Sequence, residues 1–344
     1  MNKKVSYLVK LIIGIVFVLS ASPAASAEDF YKGKTIRFIV GFSAGGGFDA
    51  YARLIARHIG RYVPGNPRTL VQSMPGAGSL ISANYIYHKA KPDGLTVGNW
   101  SGGLVMAQAM GRKGVKFDAR KFNWLGVPVT DSRVCALTRA SGINSVEKWF
   151  TAKRPVKIGG SAPGAGLSDV PRTLKAALGL PIQVVEGYGG TSKIRLAAES
   201  GEVAGGCWAW ESVKVTWRRA LESGKVKVIL QALAKRHPDL QDVPNAVEMA
   251  KTEEARQLIK LGIQDPAAII RSYSLPPGTP RNRVAILRKA FMATMKDPKF
   301  LAEAKKSRLA MNPKSGKEVQ GIVNGFFKVD AKLSSKLKKI LSPN

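Results

Sequence analysis

Cysteine and histidine are nearly absent. Two cysteines, Cys135 and Cys207, and three histidines, His58, His88 and His237, serve 344 residues. No CxxC, HExxH or other ligand spacing occurs, which excludes structural zinc, thioredoxin-type redox chemistry and zinc hydrolysis. Each histidine reads as a surface or helix-face residue. No GxxxxGK[ST] occurs, so no P-loop is present, and Gly41–Gly47 does not fit GxGxxG. No serine-hydrolase elbow is read either. No enzyme activity, metal or cofactor is therefore expected. Acids are scarce as well: 23 Asp and Glu face 54 Lys and Arg, a formal charge of +31. Such an excess fits nucleic-acid binding, attraction of anionic solutes or surfaces, or a plain solvated surface. The cations are scattered along the chain, with no basic arm and no aromatic-interleaved RNA motif, so nucleic acid is not an expected partner.

One long apolar run exists, at the N-terminus. Lys3, Lys4 and Lys10 flank Leu11–Leu19, and Ala25-Ser26-Ala27 supplies a small-x-small site. The run is shorter than the ~20 residues that span a bilayer, and the layout is that of a secretory signal peptide. Residues 1–27 are read as that peptide, with cleavage after Ala27 and export to the periplasm. Three lysines and no acids leave with it, which lowers the charge from +31 to +28. In an oxidising compartment Cys135 and Cys207 either pair or stay as two buried thiols, and the sequence leaves both open.

The rest of the chain alternates strands and helices. Thr35–Val40 is a strand of β-branched character, followed by a glycine turn at Gly41–Gly47. Tyr51, Leu54, Ile55 and Ile59 then recur at helical spacing. The same strand–glycine turn–helix unit returns at Pro75–Ser79, Gly159–Gly166 and Gly187–Thr191. Repeated units of this kind predict doubly wound α/β lobes with ligands outside the carboxyl ends of the strands. The expected organisation is residues 28–129 as the first part of lobe 1, 130–230 as lobe 2, and 231–344 as the second part of lobe 1. Glu211–Ser223 reads as one helix. Thr279-Pro280 and Asp297-Pro298 read as helix starts, and Ser315 with Glu318 reads as a capping box. Val329, Leu333, Leu337 and Ile340 form an apolar stripe beside Lys332, Lys336, Lys338 and Lys339, the pattern of a terminal helix docked on the body.

The four glycine turns carry the functional signal. Each leaves backbone N–H groups unpaired at a helix N-terminus, where the helix dipole favours an anion. Ser43, Ser79, Ser161, Ser168 and Thr191 add hydroxyls there. Asp49, in a first helical turn, reads as a complement to the dipole rather than a general base. Of Trp208 and Trp210, one reads as core and the other as a pocket wall.

Several segments resemble the extracytoplasmic receptors of tripartite tricarboxylate transporters, the Bug receptors. They are Phe42-Ser43-Ala44-Gly45-Gly46-Gly47-Phe48-Asp49 with Ala52-Arg53, then Pro75–Gly78, Pro92–Thr96, Ser161–Gly166, Gly187–Gly190, Gly201-Glu202-Val203 and Pro276–Pro280. Ala44 stands where the family has Pro, Asp169-Val170 where it has a His, and Gly189 where it has a Lys. The resemblance implies a type II periplasmic-binding-protein fold with two α/β lobes and a ligand cleft. It implies a small organic acid as ligand and the membrane subunits of such a transporter as partners; a monomer is expected. The alternative role is a periplasmic ligand-sensing subunit of a signalling system. By analogy the ligand-binding residues are Ser43, Gly45, Gly46, Asp49, Gly76, Ala77, Gly78, Ser79, Ser161, Gly164, Gly166, Ser168, Tyr188, Gly190 and Thr191.

Overall fold

The computed structural model describes residues 30–341. The expected signal peptide and its cleavage site lie outside the described residues. Eleven strands are present among the described residues: β1 Thr35–Val40, β2 Arg68–Ser73, β3 Thr96–Asn99, β4 Asn123–Val127, β5 Arg133–Thr138, β6 Val156–Gly159, β7 Ile182–Val185, β8 Gly205–Ala209, β9 Val226–Gln231, β10 Tyr273–Leu275 and β11 Lys314–Ser315. They form a six-stranded sheet in the order β11-β4-β10-β3-β1-β2 and a five-stranded sheet in the order β7-β6-β8-β5-β9.

Both sheets are built alike. In the first, β1 pairs in parallel with β2 and β3. In the second, β6 pairs in parallel with β7 and β8. Beside each parallel trio runs an antiparallel strand entered from the other lobe, β10 next to β3 and β5 next to β8. These two crossing strands make the sheets mixed and bring both inter-lobe connections to one place.

The helices follow the glycine turns. Four are α1 Gly47–Ile59 after β1, α2 Leu80–His88 after β2, α3 Gly103–Ala109 after β3 and α4 Gly166–Leu178 after β6. Next come α5 Thr191–Glu199 after β7 and α6 Trp210–Thr216 after β8. The expected helix over 211–223 breaks at Trp217, whose indole stacks on Trp208 with ring centroids 5.3 Å apart and donates to Glu199. Later helices are α7 Glu253–Ile259, α8 Arg281–Thr294, α9 Pro298–Lys306, α10 Gly316–Phe326 and α11 Ala331–Leu341.

The caps follow the sequence in two cases. The Asp297 carboxylate accepts from Lys299 N at the start of α9, and Ser315 and Glu318 form a capping box on α10. Thr279 does not cap α8; Pro280 occupies that position, and the Thr279 hydroxyl donates to Pro276 O.

Period-two alternation splits each sheet's side chains between two cores. Phe38 packs on one face of the first sheet with Tyr51, Leu54 and Phe291, while Ile39 packs on the other with Trp100, Leu104 and Trp124. In the second sheet Cys135 and Leu137 face Ile158 and Leu174, while Val134 and Ala136 face Ile194 and Trp208. Cys135 lies opposite Cys207 across the β5–β8 pair, and the two are bonded as a disulfide inside the core. Ala246, Ala250, Ala255, Ile259 and Ile263 pack into that same second-sheet core. They fall within the stretch expected as the second part of lobe 1, residues 231–344, yet cover the second sheet; local periodicity does not tell which sheet a helix covers. The terminal helix α11 is docked through buried Leu337 and Leu341.

Candidate ligand site between the lobes

The parallel strands of both sheets aim their carboxyl ends, and so the N-termini of α1, α4 and α5, at the space between the lobes. The lobes touch there. Ser43 N donates to Gly189 O at 2.9 Å, and Arg195 Nη2 donates to Gly45 O at 3.0 Å. Between them lies a cavity of about 30 Å³. First-lobe Phe42, Gly46, Gly47, Phe48 and Ser101 line it together with second-lobe Arg133, Gly166, Leu167, Thr191, Trp208, Ala209 and Ser212. The two connections contribute Asp131, Ile270 and Arg271.

Asp131 organises the floor. Its Oδ1 accepts from Arg271 Nε at 2.6 Å, and its Oδ2 lies 3.4 Å from Arg133 Nη2. All three residues are at most 4 % exposed, so the charges interact with little solvent screening. Asp131 and Arg271 belong to opposite connections, and this pair ties the two crossings together. The Arg271 guanidinium also lies over Phe48 at 5.1 Å and Tyr51 at 4.9 Å. Burial lowers the pKa of Arg133 while Asp131 opposes the shift. Glu211, buried beside this cluster, accepts from Ser132 N at 2.9 Å, and burial followed by the Asp131 charge raises its pKa.

Several buried polar atoms around the cavity have no hydrogen-bond partner among the described residues. They are Ser101 Oγ, Thr191 Oγ1, Ser212 Oγ, Arg133 Nε, Arg271 Nη1 and Trp208 Nε1. Buried polar atoms are normally satisfied, and leaving one unmade costs about 1–3 kcal/mol. All six can donate and they surround one space. Such a set suits an acceptor-rich group such as a carboxylate.

The residues singled out in the sequence fall into three groups. Gly46, Gly166 and Thr191 line the cavity. Ser43, Gly45, Gly78, Gly164 and Gly190 sit where the lobes meet. A Cβ on Gly78 would lie 2.7 Å from Ala165 Cβ, Gly164 O lies near Gly103, and Gly190 faces Phe42 and Ser43. The others do not line the cavity: Ser161 Oγ and Ser168 Oγ are buried without a partner among the described residues, and the rest are engaged elsewhere. Asp49 accepts from Gly45 N and holds Arg53, and Ser79 Oγ accepts from Ser101 N. The Tyr188 hydroxyl donates to Glu202, and Ser168 is buried against Gly160. Gly76 and Ala77 lie on the rim, and Ser161 O accepts from Gly187 N. Trp208 lines the cavity, while Trp210 Nε1 donates to Asp239.

Asp131, Arg133, Arg271, Ser101, Ser212, Phe42 and Phe48 were not singled out. Their signal is a charge inside an apolar stretch: Arg133 opens a fully buried strand, and Arg271 interrupts Ile269-Ile270 and Tyr273-Ser274-Leu275.

Gly41-Phe42-Ser43-Ala44-Gly45 does spell GxSxG on a strand–turn–helix, contrary to the reading that no such elbow is present. All three histidines are occupied away from it. His58 meets Glu303 and Arg61, His88 meets Lys116 O, and His237 caps a short turn. No histidine base therefore serves Ser43.

Residues 65–324 match the family described as the tripartite tricarboxylate transporter family receptor. A UPF0065 protein of Pseudomonas sp. (strain P51) is 24% identical over 279 residues, covering 80% of this chain and 78% of that one. One from Bordetella bronchiseptica is 28% identical over 159 residues, 45% of each chain. The periplasmic binding protein BugD superposes with a TM-score of 0.73 at 22% identity, covering 90% of this chain and 98% of BugD. MatC from Rhodopseudomonas palustris, solved with bound malate, superposes with a TM-score of 0.70 at 20% identity, covering 90% and 99%. These structures share the two-lobed α/β periplasmic-binding fold. The chain belongs to the tripartite tricarboxylate transporter receptor family.

Proposed function

We propose that the protein is a periplasmic receptor that captures a small organic carboxylate between its lobes and delivers it to the membrane subunits of a tripartite tricarboxylate-type transporter. The observation that carries this reading is the set of six unpartnered buried polar atoms, drawn from both lobes and one of the connections, around one cavity. A carboxylate would satisfy several of them at once, and only when the lobes are together. Differential affinity for the closed arrangement is what makes a ligand drive closure. The assigned ligand contacts are Gly46, Gly166, Thr191, Ser101, Ser212, Arg133 and Arg271, with Ser43, Gly78, Gly164 and Gly190 meeting across the cleft as it closes. The chain acts as a monomer after removal of residues 1–27. Relatives by structure were solved with malate or adipate bound, which supports an acid ligand without naming this one.

A thermal-shift screen of residues 28–344, refolded from denaturant, tests the reading. Mono-, di- and tricarboxylates, aromatic acids, amino acids and sugars are compared at low and high salt. A ligand at 100 times its Kd adds ~2.7 kcal/mol of stability, a rise of a few degrees for a chain of this size. One acid class shifting the melt at both salt levels supports the proposal. Small shifts from every anion that vanish in salt would overturn it, since a strongly basic surface alone produces them.

A further inference from the structure

A groove on the second lobe shares no residue with the cleft. It holds about 960 Å³, between the end of β5, the last turn of α5 and the chain that runs from α6 into β9. Its floor is buried Ala198, Trp217 and Val226. Its rim is exposed and basic: Arg139, Arg218, Arg219 and Lys225 stand there against one acid, Glu199. The Glu199 carboxylate already accepts from Trp217 Nε1 at 2.7 Å. Outside the lining, Glu222 lies 3.9 Å from Arg218 and is shared with Arg308 of the first lobe at 3.3 Å. Arg139, Arg219 and Lys225 make no ion pair among the described residues.

The fold gathers like charges here. Thr138 pairs with Val226 at the end of the β5–β9 ladder, and Arg139 N donates to Lys225 O at 2.8 Å, so the two side chains leave neighbouring backbones. Arg218 and Arg219 are consecutive after Trp217. Neighbouring cations repel and cost stability, so the grouping gives the fold nothing by itself and suits an anion. Shape narrows the kind of anion. A bilayer presents a flat surface, which meets the rim and not the floor. Single-stranded nucleic acid uses ring faces on which bases stack, and the aromatic residue of the groove, Trp217, is 2 % exposed and stacked on Trp208. An extended chain segment can reach both floor and rim, and clustered arginines are a common device for acidic segments.

We propose that this groove docks an acidic, extended segment of a partner protein, its carboxylates paired with Arg139, Arg218, Arg219 and Lys225 and its apolar side chains against the Trp217 floor. Exposed charges of this kind steer the encounter and select the partner. The docking surface goes beyond the receptor reading and does not depend on what the cleft binds.

A fluorescein-labelled peptide alternating glutamate and valine tests this by anisotropy, titrated with residues 28–344 at physiological salt, with glutamine in place of glutamate as the comparison. Wild type binds the glutamate peptide about tenfold tighter or more, as expected when charge complementarity carries recognition. Arg139→Glu/Lys225→Glu weakens that peptide about tenfold or more, while Lys89→Glu/Lys91→Glu, an equal charge change at exposed positions after α2 of the first lobe, alters it less than about twofold. Ala140→Trp, at an exposed position of the lining, fills the groove without changing its charge and weakens the peptide as strongly. Equal losses in the two double reversals overturn the proposal, since net charge alone would then attract the peptide. Wild-type affinity in an Ala140→Trp protein that melts like wild type overturns it as well. Failure of the glutamate peptide to bind, with or without capture of phosphatidylglycerol vesicles in its place, overturns the assigned partner; the acid screen of the cleft is untouched by any of these results.

Discussion

Gly46→Val isolates lobe closure from lobe folding. Gly46 precedes α1 with φ −95° and ψ 176°, an extended conformation open to any residue, so the substitution strains no backbone. Within its own lobe the nearest atom to an added Cβ is Ser43 O, at an ordinary 3.7 Å. Across the cleft the same Cβ would lie 2.8 Å from Thr191 Oγ1. The clash therefore exists only when the lobes are together. Valine adds two methyls to it, and overpacking of this kind costs about 1–3 kcal/mol. Charged to the closed state alone, that lowers its population roughly 5- to 150-fold, and a ligand that binds the closed state loses affinity by the same factor. Calorimetry with the acid found in the screen reads the loss, and small-angle scattering reads the expected increase in radius of gyration. Pairing Gly46→Ala with Thr191→Ala in a double-mutant cycle checks that the two positions are coupled. A Gly46→Val protein with wild-type affinity and wild-type scattering would refute the reasoning.

Three further outcomes follow from particular contacts. The Cys135–Cys207 disulfide closes a sequence separation of 72 residues, and the chain-entropy estimate for a loop of that size is ~4 kcal/mol. Cys135→Ala/Cys207→Ala should therefore melt well below wild type, and an unchanged melt would contradict the bond's contribution. Burial pushes the Asp169 carboxyl up to about 7, against the opposing Gly164 amide, from ~3.9 in an unfolded chain. The folded state thus holds this proton longer: the stabilisation is complete below pH ~4 and fades by roughly 4 kcal/mol as pH rises through 7. Denaturant melts across that range should show the slope, and Asp169→Asn should flatten it; an identical slope in the variant would refute the assignment. Ser79→Ala leaves the buried Ser101 N without its acceptor, a loss of about 1–3 kcal/mol in stability. An unperturbed melt in that variant would return Ser79 to the list of ligand contacts.

Local chemistry made much of the fold readable. Glycine turns after short β-branched strands marked Gly41–Gly47, Pro75–Ser79, Gly159–Gly166 and Gly187–Thr191, and all four precede helices at the carboxyl ends of parallel strands. The Asp297 cap and the Ser315–Glu318 box were equally plain, because a cap is decided within four residues. Thr191, Gly46 and Gly166 reached the cavity for the same reason.

What local pattern could not supply was anything decided by the crossings. Asp131 and Arg271 lie 140 residues apart in the chain and meet at 2.6 Å because both connections pass one point. Asp131 and Arg133 stand only two residues apart and were open to a local reading, as was an arginine opening a wholly buried strand. The disulfide is of the same kind as the Asp131–Arg271 contact: Cys135 and Cys207 meet through strand register, which no spacing reveals. Ser79 and Tyr188 show the converse. Both carry hydroxyls near the turns, and both hydroxyls are used within their own lobes, on Ser101 N and Glu202.

A cross-link between the lobes tests most directly that the ligand enters the space between them. Ser43 belongs to the first lobe, and a Cβ placed on Gly189 of the second would lie 3.8 Å from Ser43 Cβ, within the ~3.5–4.5 Å of bonded cysteine pairs. Ser43→Cys/Gly189→Cys, oxidised, should hold the cleft shut, while the buried Cys135–Cys207 bond survives the mild reductant that reopens the cleft. The account predicts no uptake of the acid by the oxidised protein and recovered uptake after reduction. Equal binding in both states would place the ligand elsewhere and contradict the account.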